Sequence, residues 1–254
     1  MRTAKTLATV ALGSAVLLPF VGAGTAMAAD GDVMANLKPV ALNGVDASGT
    51  AMVEVRGTTI HVTMAAMGLL PNAPHAAHIH FAAAARHECP SAGDDTNKDG
   101  QLNTTEGGPA YGDVVVSLTK TGDTSPKSAL AVDRFDTAKG GKISYERGSI
   151  EVSPAVADAI AKGQSVVVVH GVDHNHDGTY DGAKKSDLDP SLPTEATDPA
   201  ICGSLLAAPS GGAATGAGGA SSPTNTGLLA LGGGLLLVAA GSGTWSARRA
   251  RARS

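Results

Sequence analysis

The chain has 254 residues, with 19 lysines and arginines against 23 aspartates and glutamates and a formal net charge of −4. Six of the basic residues lie at the two ends (Arg2, Lys5, Arg248, Arg249, Arg251 and Arg253), so the interior carries 13 basic against 23 acidic residues, a net charge of −10. An acidic interior excludes nucleic acid and anionic lipid as natural partners and suits cations.

Met1–Ala28 combines Arg2 and Lys5, an apolar run from Leu7 to Val21 and the small-x-small sequence Ala26-Met27-Ala28, the pattern of a secretory leader. Its apolar run is too short for a spanning helix. Residues 29–206 are then expected to form one exported domain with a real core. Short β-type runs separated by turn residues dominate it. Met34–Leu42 leads into Asn43-Gly44, followed by Thr50–Arg56, Gly57 and Thr58–Met64. In the last of these Ile60, Val62 and Met64 alternate with Thr59, His61 and Thr63. Ala77–Phe81 alternates as well: Ala77, Ile79 and Phe81 face one way, His78 and His80 the other. Gly112–Lys120, Ala129–Asp136 and Lys142–Glu146 read as further strands. Ser165–His170 is a core strand of four valines ending on a histidine, and Ile201–Leu206 is the last strand. One helix is expected at Pro154–Lys162, with Ser153 as N-cap and Gly163 as its stop. The pattern predicts an all-β antiparallel sandwich or flattened barrel with one short helix and long loops.

Beyond the domain, Ala207–Ser222 is almost wholly Gly, Ala, Ser and Pro, as in a flexible linker. Pro223–Gly227, the apolar stretch Leu228–Trp245 and the arginine-rich end resemble a sortase cell-wall sorting signal, matched in its pentapeptide only at Thr226-Gly227. A plain C-terminal membrane anchor reads equally well. The expected organisation is leader 1–28, domain 29–206, linker 207–227 with the degenerate motif, and anchor with basic tail 228–254. Either form of attachment places the domain on the outer face of a Gram-positive-type envelope, with the envelope itself as partner through the anchor. No residue pattern names a protein partner.

Asp95 to Glu106 is similar to the twelve-residue calcium loop of EF-hands. Asp95, Asn97 and Asp99 supply oxygens at the first, third and fifth positions, Gly100 permits the sharp turn, and Gln101, Asn103 and Glu106 complete the oxygen set. The flanks Cys89–Asp94 and Gly107–Tyr111 contain Pro and Gly, so paired helices are not expected and the loop reads as an insertion between strands. Asp173, Asn175, Asp177, Gly178, Thr179 and Asp181 repeat the first part of the pattern. Its twelfth position is Lys184, leaving Asp187 or Asp189 as substitutes for the missing acid. His174 and His176, at the second and fourth positions, are expected to face solvent. Cys89 and Cys202 are the only cysteines; in an oxidising compartment they are expected to form one disulfide, stabilising by about 4 kcal/mol in the chain-entropy picture.

Four features line up: His78-x-His80, Cys89 followed by Ser91-Ala92-Gly93, a valine strand ending at His170, and Cys202-Gly203 on the closing strand. Together they resemble the copper/zinc superoxide dismutase sandwich, and Gly68–His80 and Gly112-Asp113 are similar to neighbouring stretches of that family. An equal or closer resemblance, over roughly Met34 to Leu206, is to CHRD domains. The shared features are the opening strand, Ala-His-Ile-His and the late Val-x-Val-His strand after a short helix. The resemblance implies a Greek-key sandwich of superoxide dismutase type in which His78, His80 and His170 hold copper, with His75 or His87 as candidate fourth ligand. It also implies a Cys89–Cys202 bridge pinning the metal loop to the last strand. Departures limit what function carries over. Asp95 falls where the bridging histidine belongs, only Asp113 of the zinc set has a counterpart, and Pro199 stands where the guiding arginine belongs. A zinc site and redox turnover are therefore not expected, and no catalytic residue is assigned. The expected function is a surface-anchored metal-binding domain with calcium-stabilised loops. The alternatives are a copper-dependent dismutase-like enzyme without zinc, and a surface adhesion module.

Overall fold

Alternating apolar residues in the first three strands dictate the layer that they build. β1 (Gly31–Pro39), β2 (Ser48–Arg56) and β3 (Thr59–Met67) form an antiparallel meander. Its inward residues are all buried: Val33, Ala35 and Leu37 on the first strand, Val53 and Val55 on the second, Ile60 and Val62 on the third. The structure, a computed structural model, describes residues 30–208. The leader, the anchor and the linker beyond Ala208 lie outside the described residues. Among those described, no helix is long and apolar enough to cross a membrane.

The remaining strands are β4 (Pro74–His75), β5 (Ala77–Phe81), β6 (Asp113–Ser117), β7 (Asp136–Thr137), β8 (Lys142–Glu151), β9 (Val166–His170), β10 (Pro199–Ser204) and β11 (Leu206–Ala207). The main sheet runs β6-β5-β9-β10-β1-β2-β3-β8, with β11 also on β1, and β4 pairs with β7 alone. All its pairings are antiparallel. Its edge strands approach one another through the segment after β6. Tyr145 and Arg147 of β8 donate to the Thr119 carbonyl at 3.3 and 2.7 Å. The sheet therefore curls into a flattened all-β barrel, its inner face lining the main core.

β9 explains the uninterrupted valines. Val167 and Val169 enter the main core, while Val166 and Val168 face outward into a second cluster with Val40, Leu102, Tyr111 and Cys202. Both faces are covered, so no polar alternation is needed. The outer cover is the chain between β5 and β6, fastened by the Cys89–Cys202 disulfide to β10.

Two sequence expectations are corrected. Gly107–Tyr111 is helical, the second half of α1 (Thr104–Tyr111). Asn103 accepts from the Glu106 amide at 2.9 Å, and Glu106 accepts from the Asn103 amide at 3.2 Å, a reciprocal cap that starts the helix. A Cβ on Gly107 would stand 2.4 Å from the Tyr111 ring, so glycine here serves tertiary packing rather than breaking the helix. The incoming helix is absent, as expected: Cys89–Asp94 holds only a 3-10 turn at Ala92–Asp94. Of Ala129–Asp136 only the last residue is in a strand, Asp136 at the start of β7. The rest belongs to turns, with a 3-10 segment at Val132–Arg134 and another just before it at Pro126–Ser128. The Asp123 carboxylate accepts from the Ser125 and Ser128 hydroxyls at 2.7 and 2.6 Å, folding the chain locally before a ladder can form. The expected helix is α2 (Pro154–Ala161), capped by Ser153, and a short α3 (Thr194–Thr197) was not anticipated.

Candidate metal centre

The pairing of β5 with β9 sets His78 opposite Val168 and His80 opposite Val166, and the His170 amide donates to the Ala76 carbonyl at 2.7 Å. Side chains alternate along both strands, so all three imidazoles stand on the outer face of the sheet. Diagonal neighbours there are in reach of one another. The His78 and His170 rings lie 5.1 Å apart, His78 and His80 5.6 Å, and His80 and His170 5.9 Å between centroids. One ring nitrogen from each lies within 4.8 Å of the others.

Each ring spends one nitrogen on a backbone carbonyl. Nε2 of His78 meets Ala129 O at 3.1 Å, Nδ1 of His80 meets Gly112 O at 3.0 Å, and Nδ1 of His170 meets Thr197 O at 2.6 Å. A carbonyl only accepts, so those nitrogens carry the protons and the opposite nitrogens are bare lone pairs. His78 Nδ1, His80 Nε2 and His170 Nε2 are buried and have no hydrogen-bond partner. Burial pushes all three imidazoles down, and the nearby His170 adds to this for His78 and His80. His78 falls well below the ordinary histidine range, His80 to about 3 and His170 to about 4. They are neutral at pH 7, the form that ligates a metal.

Three buried lone pairs without partners are costly unless something fills the space between them. Two nitrogens each about 2 Å from a shared ion lie about 3–4 Å apart, inside the 4.8 Å that bounds the spacing here. The carbonyl contacts are the outer-shell pattern that fixes the tautomer and aim of metal-ligating histidines. The residues therefore fit a first-row transition metal. Phe135 and Tyr111 hold the rings edge-on, 5.3 Å from His78 and 4.6 Å from His80.

The two candidate fourth ligands lie elsewhere. His75 has a carbonyl at each ring nitrogen, His170 O at 2.8 Å and Leu70 O at 3.1 Å, so it braces the backbone behind His170. His87 meets Ala82 O at 2.9 Å and stacks on Phe81. Asp113, the one counterpart of a zinc set, is exposed.

In the first acidic loop, Asp95, Asn97 and Asp99 accept from the amides of Gly100, Asp99 and Gln101 at 3.0, 2.8 and 3.0 Å. Glu106 accepts from the amides of Thr96 and Asn97 at 3.0 and 3.2 Å, and Asn103 is spent on the α1 cap. Lys184 pairs with Asp99 and donates to Gln101 at 3.2 Å. One oxygen of Asp95, Oδ1, has no partner. The second loop is tied similarly. Asp173 accepts from Asp177 and Gly178, Asp177 from Thr179, and Asn175 donates to Asp177 and Asp181. Its closing acid is neither Asp187, which accepts from the Thr105 amide, nor Asp189, which accepts from Ser191. Buried Glu195 takes that role, accepting from the amides of His174 and Asp181 at 2.9 and 2.8 Å. His174 does not face solvent as expected. Its Nε2 lies 2.8 Å from the buried Asp198 carboxylate, which burial raises above the usual range. Thr194 donates to the same carboxylate at 3.0 Å, and this fixes the turn carrying Thr197.

Sequence reasoning missed Ala129, Gly112 and Thr197, because they act through backbone oxygens that any residue type could offer. It missed Glu195 and Asp198 because neither lies at a motif spacing. Comparison with known proteins found no matching family model and no matching curated protein.

Proposed function

We propose that the domain binds one transition-metal ion, with copper the preferred ion, through His78 Nδ1, His80 Nε2 and His170 Nε2, and that it does so without catalysis. The observation that carries this is the set of three convergent, buried imidazole nitrogens left bare while their opposite nitrogens sit on carbonyls. Imidazole suits copper and zinc alike, and copper stands above zinc in intrinsic affinity for such sites. The resemblance to CHRD domains and to the dismutase sandwich supports the same three residues. The absence of any charged residue among those lining the space beside the rings argues against turnover of superoxide, an anion. Export and surface attachment complete the reading as expected from the two ends of the sequence.

The test is paramagnetic resonance of the Cu(II)-loaded domain. Hyperfine coupling to imidazole nitrogens that is reduced or lost in His80→Ala is the expected result. A spectrum of oxygen-only coordination, unchanged in His80→Ala, would contradict the proposal.

A second reading, calcium in the Asp95–Glu106 loop, is favoured by the unpaired Asp95 Oδ1 at its first position. The thermal midpoint should then rise in calcium relative to chelator, and the rise should vanish in Asp95→Ala.

A further inference from the structure

A cavity of about 40 Å³ opens beside the three imidazoles. One water needs roughly 10–15 Å³ of such space, so a ligand of two or three atoms has room. Ala129, Leu130, Val132, Leu188 and Ala196 line it together with the rings, and none of the lining residues is charged. The two lining hydroxyls are already used. Thr104 Oγ1 donates to Thr197 O at 2.6 Å, and Thr197 Oγ1 lies 2.8 Å from the Ser186 hydroxyl and 3.2 Å from Thr194 O. Leu130 and Leu188 line the cavity and are 38 % and 47 % exposed, two of the large apolar side chains left open to solvent.

Such a space is hostile to an anion. Its lining residues offer no cation and no free donor, so an anion would lose its water with only the metal ion itself in return. Two carboxylates add to this: that of Asp187 acts on both His170 and Tyr111, and that of Asp198 on Tyr111. A small uncharged ligand carries no such cost, and its only strong partner in the cavity would be a metal held by the rings.

We infer that the open side of the three-histidine site admits small uncharged ligands of the diatomic class, such as carbon monoxide, nitric oxide or dioxygen, and rejects anions. The inference deepens the proposed metal-binding function and rests on it. It turns on the apolar wall of the cavity, not on the identity of the ligating residues.

Two probes test it on the copper-loaded protein. Carbon monoxide added to the Cu(I) form should give an infrared band that shifts with isotope-labelled gas. Azide added to the Cu(II) form should give no charge-transfer band at millimolar concentration. Leu188→Lys places a cation at the exposed rim without touching the core, and it should tighten azide by about tenfold or more while leaving the thermal midpoint unchanged. Azide binding at micromolar concentration to the unsubstituted protein, or no carbon monoxide adduct, would overturn the inference while leaving the metal site standing. Failure to bind copper at all would overturn the underlying reading and the inference with it.

Discussion

The outer-face histidines and the two acidic loops are both candidate cation sites, and they differ in what the protein has already done with their lone pairs. In the loops most side-chain oxygens accept from amides of the same loop, and Lys184 supplies a cation of its own to Asp99 and Gln101. At the histidines the chain satisfies the back of each ring and leaves the front bare and buried. A loop of self-satisfied carboxylates is a stable turn with or without an ion. Three bare, buried imidazole nitrogens are a set that could hold an ion. Ligand types and spacing alone would have ranked the two sites the other way, because the Asp95–Glu106 motif is the more complete in sequence.

The largest effect should separate the two regions outright. His78→Ala or His170→Ala should lower copper affinity by more than the roughly 10–100-fold expected of an outer-shell change, measured by competition with a chromophoric chelator. Asp95→Ala and Glu106→Gln should leave copper affinity unchanged. Equal losses in both sets would erase the distinction. Next in size is calcium. An occupied loop at about 100 times its dissociation constant should raise stability by about 2.7 kcal/mol, seen by chemical denaturation in calcium against chelator. Lys184→Met, which frees Asp99, should enlarge that difference if the ammonium competes with the ion.

Acid should act on the histidine face in the metal-free protein. His80 and His170 are pushed down by burial to about 3 and about 4, from an ordinary 6.5. Below 6.5 the unfolded chain therefore holds protons that the folded one does not. Stability should be complete above that pH and fall as the pH drops toward 4, by about 2 kcal/mol for each of the two at about pH 5. Denaturation midpoints measured from neutral pH downward check this, and a flat profile would mean that the rings are not held neutral. The smallest effect concerns Thr104, whose hydroxyl shares the Thr197 carbonyl with His170. Thr104→Val should weaken copper binding by roughly tenfold while leaving the fold intact.

The legible parts of the molecule were those written in local pattern. Alternation along β1 to β3 marked the core face, the His78-Ile79-His80 spacing put two rings on one side, and four valines ending at His170 marked a doubly buried strand. What escaped depends on partners distant in sequence. Ala129 looked like part of a strand, yet Asp123 and its serine partners wind that segment into turns and so present its carbonyl to His78. Gly107 and Pro109 looked like helix breakers, yet Tyr111 folds back over Gly107 and the helix forms. Glu195 closes the second loop from fourteen residues beyond Asp181, where no motif would place it. The pairing of Cys89 with Cys202 followed from there being no other cysteine.

The central claim is that the imidazole cluster, and not the acidic loops, is the transition-metal site. Elemental analysis of the domain after exposure to copper and zinc and removal of excess tests it most directly, with His170→Ala and Asp95→Ala alongside. One equivalent of transition metal in the unsubstituted and Asp95→Ala proteins, lost in His170→Ala, is the predicted result. No bound transition metal, or an equal amount in all three, would contradict it.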